Sequence, residues 1–270
     1  MHHLDDTLTE YFHDLYETND GKGKSLAADT LYGLIKFMPH CDQHLSASKA
    51  SLAGWSKLQP AVSYPPLTWD LTVLIAIQMV RQGHIRHGIA TVLAFDCFLR
   101  VGELVGLKKA DVADVNDHRL GSEYSGTSLR LRKTKTGPNQ WVQVLDEDVV
   151  QLLRCVLDTT ARGSDALFPF TAAQYRSIFK DTCAQLGLSH RYVPHSLRHG
   201  GATRWHLLGH SIEEVLMRGR WSSIKSARRY VQSGRALLLS TTVLESTGTK
   251  AKLFAANLLL SFSLSLPQIH

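Results

Sequence analysis

The chain predicts a mainly α fold with a small antiparallel β-sheet, the α+β class, and three features of its 270 residues point there. Apolar residues recur at three- and four-residue spacing over most of the length, which gathers them on one face of a helix. One stretch, 129–145, alternates with period two around a Gly-Pro-Asn turn, as a hairpin does. Gly, Ser and Thr punctuate the segment ends, where helices start and stop.

Residues 1–24 are acidic and finish in Asn19-Asp20-Gly21-Lys22-Gly23-Lys24, so they are expected to fray. Between Ser25 and Trp55, Leu31, Leu34, Ile35, Leu45, Leu52 and Trp55 predict two or three short helices. Pro60, Pro65 and Pro66 then disfavour helix and stiffen what reads as a linker. The expected organisation is a short helical N-terminal domain over 1–62, a larger domain over 63–235 and a C-terminal tail over 236–270.

In the larger domain, Thr68–Arg81 and His87–Val101 read as helices. Leu129 and Leu131 alternate with Arg130 and Arg132, and Trp141, Gln143 and Leu145 resume the alternation after Thr136-Gly137-Pro138-Asn139. That predicts a hairpin with a basic tip. Asp146–Asp158 and Thr171–Leu186 follow as amphipathic helices, Thr171 being the N-cap of the second. Three further helices, about Ser196–Leu208, Ser211–Arg218 and Ser223–Gln232, are separated by Gly209 and Gly219. The tail is rich in Ser, Thr and Leu.

The net charge of +6 and pI near 9.2 favour an anionic partner, and the distribution says more than the total. Residues 1–60 carry five Lys/Arg against eight Asp/Glu, whereas residues 191–235 carry nine against two. The second segment is the electrostatic footprint. Four scattered cysteines, Cys41, Cys97, Cys155 and Cys183, exclude a dense disulfide framework or a Cys-based zinc site, and fit an intracellular reducing compartment. No stretch reads as a secretory signal or a membrane span, so a non-membrane protein is expected.

Several chemistries lack their residues: there is no G-x-S-x-G elbow, no phosphate-binding G-x-x-x-x-G-K-[ST] loop and no H-E-x-x-H helix. His195 and His199 share an i,i+4 helix face, as do His206 and His210, but no Glu base and no third ligand accompany them, so no metal is expected. Arg198 stands three residues after His195, which lets a guanidinium and an imidazole address one phosphate. Upstream, Arg100 has Glu103 three residues on, an acid able to fix its guanidinium. Downstream come Gly219-Arg220-Trp221 and Arg228-Arg229-Tyr230.

In this order the fragments resemble the tyrosine recombinase, or phage integrase, family over roughly residues 66–235. The family's signature is Arg with an acid three residues on, a hairpin Lys, His-x-x-Arg, then His or Trp, and a Tyr nine residues later. Here Arg198 to Trp221 is twenty-three residues and Trp221 to Tyr230 is nine. The spacing selects Trp221 over His210 of Leu208-Gly209-His210, which lies twenty residues before Tyr230. The phrase Gly-Arg-Trp-Ser-Ser looks like the eukaryotic mobile-element branch, DIRS-like or Crypton-like, more than the bacterial Xer type.

The resemblance implies a catalytic domain preceded by a short helical one, and a DNA strand transferase or integrase needing no metal, ATP or other cofactor. Tyr230 would be the nucleophile, giving a 3′-phosphotyrosine and a free 5′-hydroxyl. Arg100 and Arg198 would clamp the phosphate, His195 would accept the tyrosine proton or bind the phosphate, and Trp221 would add an N–H donor. Lys135, with Lys133 as the alternative, would protonate the leaving 5′-oxygen, and Glu103 would brace Arg100. Arg191, Arg220, Arg228 and Arg229 would contact double-stranded DNA, while Tyr192, His199 and His210 read as structural. Family practice implies a tetramer on two duplexes and, in a eukaryotic host, a nuclear setting. The first sixty residues are shorter and less basic than the family's DNA-clamping domain, which leaves a second reading: a truncated or domesticated protein that binds DNA without completing recombination.

Overall fold

A computed structural model describes residues 2–59, 64–114, 126–240 and 243–266. The chain separates into two compact units, Met1–Ser63 and Tyr64–His270. The linker prolines are only partly described, since residues 60–63 lie outside the described residues.

The first unit contains α1 (His2–Thr18), α2 (Lys24–Phe37), a short 3-10 helix at Pro39–His44 and α3 (Ser46–Leu58). The expected fraying of residues 1–24 is corrected: α1 spans seventeen of them. Leu8 and Phe12, four apart, bury one face against Ala27, Leu31, Leu45, Leu52 and Trp55. The Asp5 carboxylate accepts the Ala47 and Ser48 amides at 2.9 and 2.8 Å, satisfying orphan donors at the start of α3.

The second unit is mostly helical around a three-stranded antiparallel sheet. Its centre is α4 (Trp69–Arg81) and α5 (Ile85–Asp96), apolar on nearly every face and buried accordingly. Thr68 caps α4 by accepting from the Leu71 amide. The helix expected through Val101 instead ends at Asp96, because Phe98 turns left-handed at φ 50°. The chain restarts as the short α6 (Val101–Val105) with Arg100 as its N-cap.

Strands β1 (Val112–Ala113), β2 (Thr127–Thr134) and β3 (Gly137–Val144) pair in the order β1-β2-β3. Thr134 pairs with Gly137, so the turn is Lys135-Thr136 and tighter than the sequence suggests. Pro138 is tolerated in β3 because that strand is at the sheet edge. Arg130 and Arg132 both bind the buried Asp111 carboxylate, so the hairpin's arginines are internal ties.

Then come α7 (Glu147–Asp158), capped by Asp146, and α8 (Ala172–Gln185), capped by Thr171 as the sequence predicts. They lead to α9 (Pro194–Leu207), α10 (Ile212–Gly219) and α11 (Ile224–Arg228). The helix expected to run to Gln232 stops two residues before Tyr230, which lies outside it. After α12 (Ser233–Ser240), the tail forms α13 (Glu245–Ala256) and α14 (Leu258–Ser265). These pack on α4 of the same chain, adding Ala251, Leu258 and Phe262 to the main core. Among the described residues no helix is long and apolar enough to cross a membrane.

Candidate active site

Two glycines let α9 approach its neighbours closely. A Cβ at Gly200 would lie 2.1 Å from the Leu67 carbonyl oxygen, and one at Gly201 would lie 2.2 Å from that of Phe95. Any larger residue would push α9 outward. The approach brings Arg198, 0% exposed, under the break after α5, where it donates to the Phe98 and Gly219 carbonyls. The left-handed Phe98 thus turns its carbonyl toward the buried guanidinium.

One carboxylate organises three guanidiniums. Glu103, with its side chain 3% exposed, accepts from the Arg100 amide at 2.9 Å and from Arg100 Nη1 at 2.7 Å. Its second oxygen takes Arg220 Nη2 at 3.3 Å and lies 4.0 Å from Arg198 Nη1. Three cations therefore share one anion in a desolvated place. Burial first, then the neighbouring Arg100 and Arg220, pull the Arg198 pKa down to about 9, and Arg220 is also lowered, chiefly by burial. A further anion would relieve this imbalance.

Above Arg198 lie two aromatic rings. Its Cζ is 4.6 Å from the Trp221 ring centroid and 5.4 Å from that of Tyr230. Trp221 folds back over Gly219, where a Cβ would meet the indole at 1.8 Å. The indole Nε1 and the Arg198 Nε are buried with no hydrogen-bond partner among the described residues. Tyr230 packs 4.5 Å from Trp221 and 5.5 Å from His195, on a small core of Phe98, Ala202, Val215 and Ala227.

His195 and Arg100 open onto a pocket of about 570 Å³ that also has Tyr64, Arg176, Lys180 and Tyr192 on its walls. Burial, then Arg198 and Arg100, lower the His195 pKa to about 4. The imidazole is neutral at physiological pH and able to accept a proton. The hairpin reaches the same region, since Thr136 Oγ1 donates to the Arg220 carbonyl at 3.0 Å. Lys133 and Lys135 are both exposed, and Lys135 is the residue beside that contact.

The structure therefore brings Arg100, Glu103, His195, Arg198, Trp221 and Tyr230 together and carries the hairpin tip to their edge. Arg191, Arg228 and Arg229 are exposed. Arg220 is not among the surface arginines: it is 7% exposed, left-handed at φ 56°, and bonded to the Cys97, Phe98 and Arg218 carbonyls as well as Glu103. Its guanidinium, like that of Arg198, is held inside by these bonds. His199, read from the sequence as structural, stacks on Tyr230 at 4.5 Å. Its i,i+4 relation to His195 was the available signal, but only the fold carries Tyr230 to that face.

The model of the phage integrase family matches residues 71–236, more than half of the chain. Tyrosine recombinase XerC of Chlamydia pneumoniae is 23% identical over 227 residues, covering 79% of this chain and 69% of that protein. Among solved structures, the Tn1549 transposon integrase in complex with circular intermediate DNA has a TM-score of 0.58 at 18% identity, covering 87% of this chain and 84% of that one. A lambda integrase dimer bound to a COC′ core site has a TM-score of 0.59 at 16% identity, covering 84% and 65%. At these identities the structural likeness establishes the fold. The matched region contains Arg100, Glu103, His195, Arg198, Trp221 and Tyr230, and the chain belongs to the phage integrase family, that of the tyrosine recombinases.

Proposed function

We propose that this protein is a site-specific DNA recombinase or integrase that cuts and rejoins strands through Tyr230, without metal or ATP. The observation that carries the reading is the gathering of Arg100, Arg198 and Arg220 on the single carboxylate of Glu103, with the Tyr230 ring 5.4 Å from Arg198. A phosphodiester developing negative charge on its nonbridging oxygens suits such a preorganised cationic site. In the reaction the Tyr230 oxygen bonds to phosphorus and the bond to the 5′-oxygen breaks. His195 takes the phenol proton or holds the phosphate, and Lys135 returns a proton to the leaving 5′-oxygen, with Lys133 as the alternative donor. The phosphotyrosine conserves the energy of the broken bond, so resealing needs no cofactor.

Arg100 and Arg198 are assigned to the phosphate, Trp221 to a further N–H donor, and Glu103 and Arg220 to bracing. Arg191, Arg228 and Arg229 are assigned to the DNA backbone. The lambda and Tn1549 integrase complexes with DNA support a DNA substrate. The 63–235 segment is assigned as catalytic domain and 1–62 as a reduced DNA-clamping domain. Assembly as a tetramer on two duplexes, the eukaryotic mobile-element branch and a nuclear setting belong to the same proposal, the branch resting on the Gly219–Ser223 phrase.

The test is a nicked duplex incubated with protein in EDTA, followed by denaturing electrophoresis. A covalent protein–DNA adduct that vanishes with Tyr230→Phe supports strand transfer. DNA retention without any adduct favours the second reading, a truncated or domesticated DNA-binding protein that does not complete recombination.

A further inference from the structure

Building on Tyr230 as the nucleophile, we propose that His199 is a positioning residue that holds the Tyr230 ring and the segment after it against α9. The need arises because α11 ends at Arg228 and α12 begins at Ser233, leaving Tyr230, Val231 and Gln232 outside any helix. Their placement depends on what the side chains of α9 supply. His195, His199 and Thr203, at i, i+4 and i+8, present one face to this segment.

Three contacts follow from that face. The His199 ring, 5% exposed, lies 4.5 Å from the Tyr230 ring at an interplanar angle of 25°, while Trp221 flanks the phenol at 4.5 Å and 35°. Thr203 Oγ1 donates to the Tyr230 carbonyl at 3.1 Å and accepts from the Gln232 amide at 3.1 Å. Gln232 Nε2 donates to His199 Nδ1 at 2.9 Å.

The last bond fixes the chemistry of the imidazole. Arg235 Nη1 donates to Gln232 Oε1 at 3.0 Å, so the amide oxygen is oriented toward arginine and its nitrogen toward His199. An amide nitrogen only donates, and Nδ1 must therefore carry a lone pair. Burial, with the neighbouring His195 next in size, keeps the His199 pKa near 4, in agreement with a neutral ring. His199 touches the phenol ring rather than the place of the reacting phosphate. Its effect should fall on how often Tyr230 is aligned for attack, and leave the binding of DNA alone.

The test is single-turnover adduct formation on a nicked duplex across DNA concentrations, with DNA affinity measured separately. His199→Ala is expected to slow adduct formation about 100-fold at saturating DNA, the scale of a misplaced reacting group, with affinity nearly unchanged. His199→Asn, whose Oδ1 can take the Gln232 bond, should recover part of the lost rate. A His199→Ala rate equal to wild type at saturation, a loss confined to affinity, or no recovery in His199→Asn overturns the proposal. If His199→Ala does not fold, His199→Phe, which retains the ring, is read instead. It should be about tenfold slower for one lost hydrogen bond, and wild-type speed overturns the proposal. A wild-type protein that forms no Tyr230-dependent adduct removes the nucleophile assignment and this inference with it; a wild-type adduct with unaffected His199 variants removes the inference alone.

Discussion

Replacing Glu103 by Gln tests whether one carboxylate organises the cationic site. The shape is kept and the charge is lost, so Arg100 at 2.7 Å, Arg220 at 3.3 Å and Arg198 at 4.0 Å keep their positions without a counterion. Breaking a buried pair by removing one partner costs about 3–5 kcal/mol. The amide oxygen of Gln still accepts one hydrogen bond, returning about 1 kcal/mol. The net expectation is about 2–4 kcal/mol of destabilisation, or roughly 5–15 °C in Tm for a unit of this size. Thermal and urea denaturation measure it, repeated with added inorganic phosphate. Phosphate should stabilise the variant more than the wild type, because it supplies the missing negative charge. A variant within about 0.5 kcal/mol of wild type, with no added response to phosphate, would refute the reasoning.

Gly201→Ala sets a methyl 2.2 Å from the Phe95 carbonyl oxygen, where backbone must shift; a loss of about 1–3 kcal/mol is expected in urea denaturation, and an unchanged midpoint would contradict the close approach. Acid should destabilise the fold through the half-buried His87 and His195 and the buried His199, each lowered from 6.5 to about 4 chiefly by desolvation. Between those values the unfolded chain binds more protons than the folded one. Stability is therefore complete above about pH 6.5 and falls as pH drops toward 4, which denaturation across that window measures; a flat profile would count against their neutral burial. Arg228→Gln and Arg229→Gln should each reduce the slope of log affinity against log salt by about 1 in DNA-binding titrations. Arg220→Gln should instead lower thermal stability and leave that slope unchanged, since its guanidinium is occupied by Glu103 and three carbonyls.

Much of this site was legible because its parts keep a fixed order and spacing. Arg100 with Glu103, His195 with Arg198, and Trp221 nine residues before Tyr230 are relations that a linear chain displays, and the structure gathers those six. The helix cap at Thr171 was legible too, because its hydroxyl acts on an amide three residues away; the cap at Asp146, which the sequence reading placed inside its helix, came from the structure. The acidic first helix was missed since charge obscured Leu8 and Phe12, whose burial needs α2 and α3. The early end of α5 was missed because nothing local marks Phe98 as left-handed. That conformation fits with the bonds its carbonyl receives from Arg198 and Arg220.

The sequence by itself determined the α+β class, the hairpin, the basic character of residues 191–235 and the residue types of the site, all properties carried by short-range periodicity, spacing and charge. Tertiary structure alone decided which arginines turn inward, that His199 rather than solvent meets the Tyr230 ring, and that α13 and α14 pack on their own α4. The physical reason is desolvation: whether a guanidinium braces the interior or faces solvent, and whether an imidazole stays neutral, depends on neighbours brought from a hundred residues away. Arg198 and Phe98 illustrate that separation.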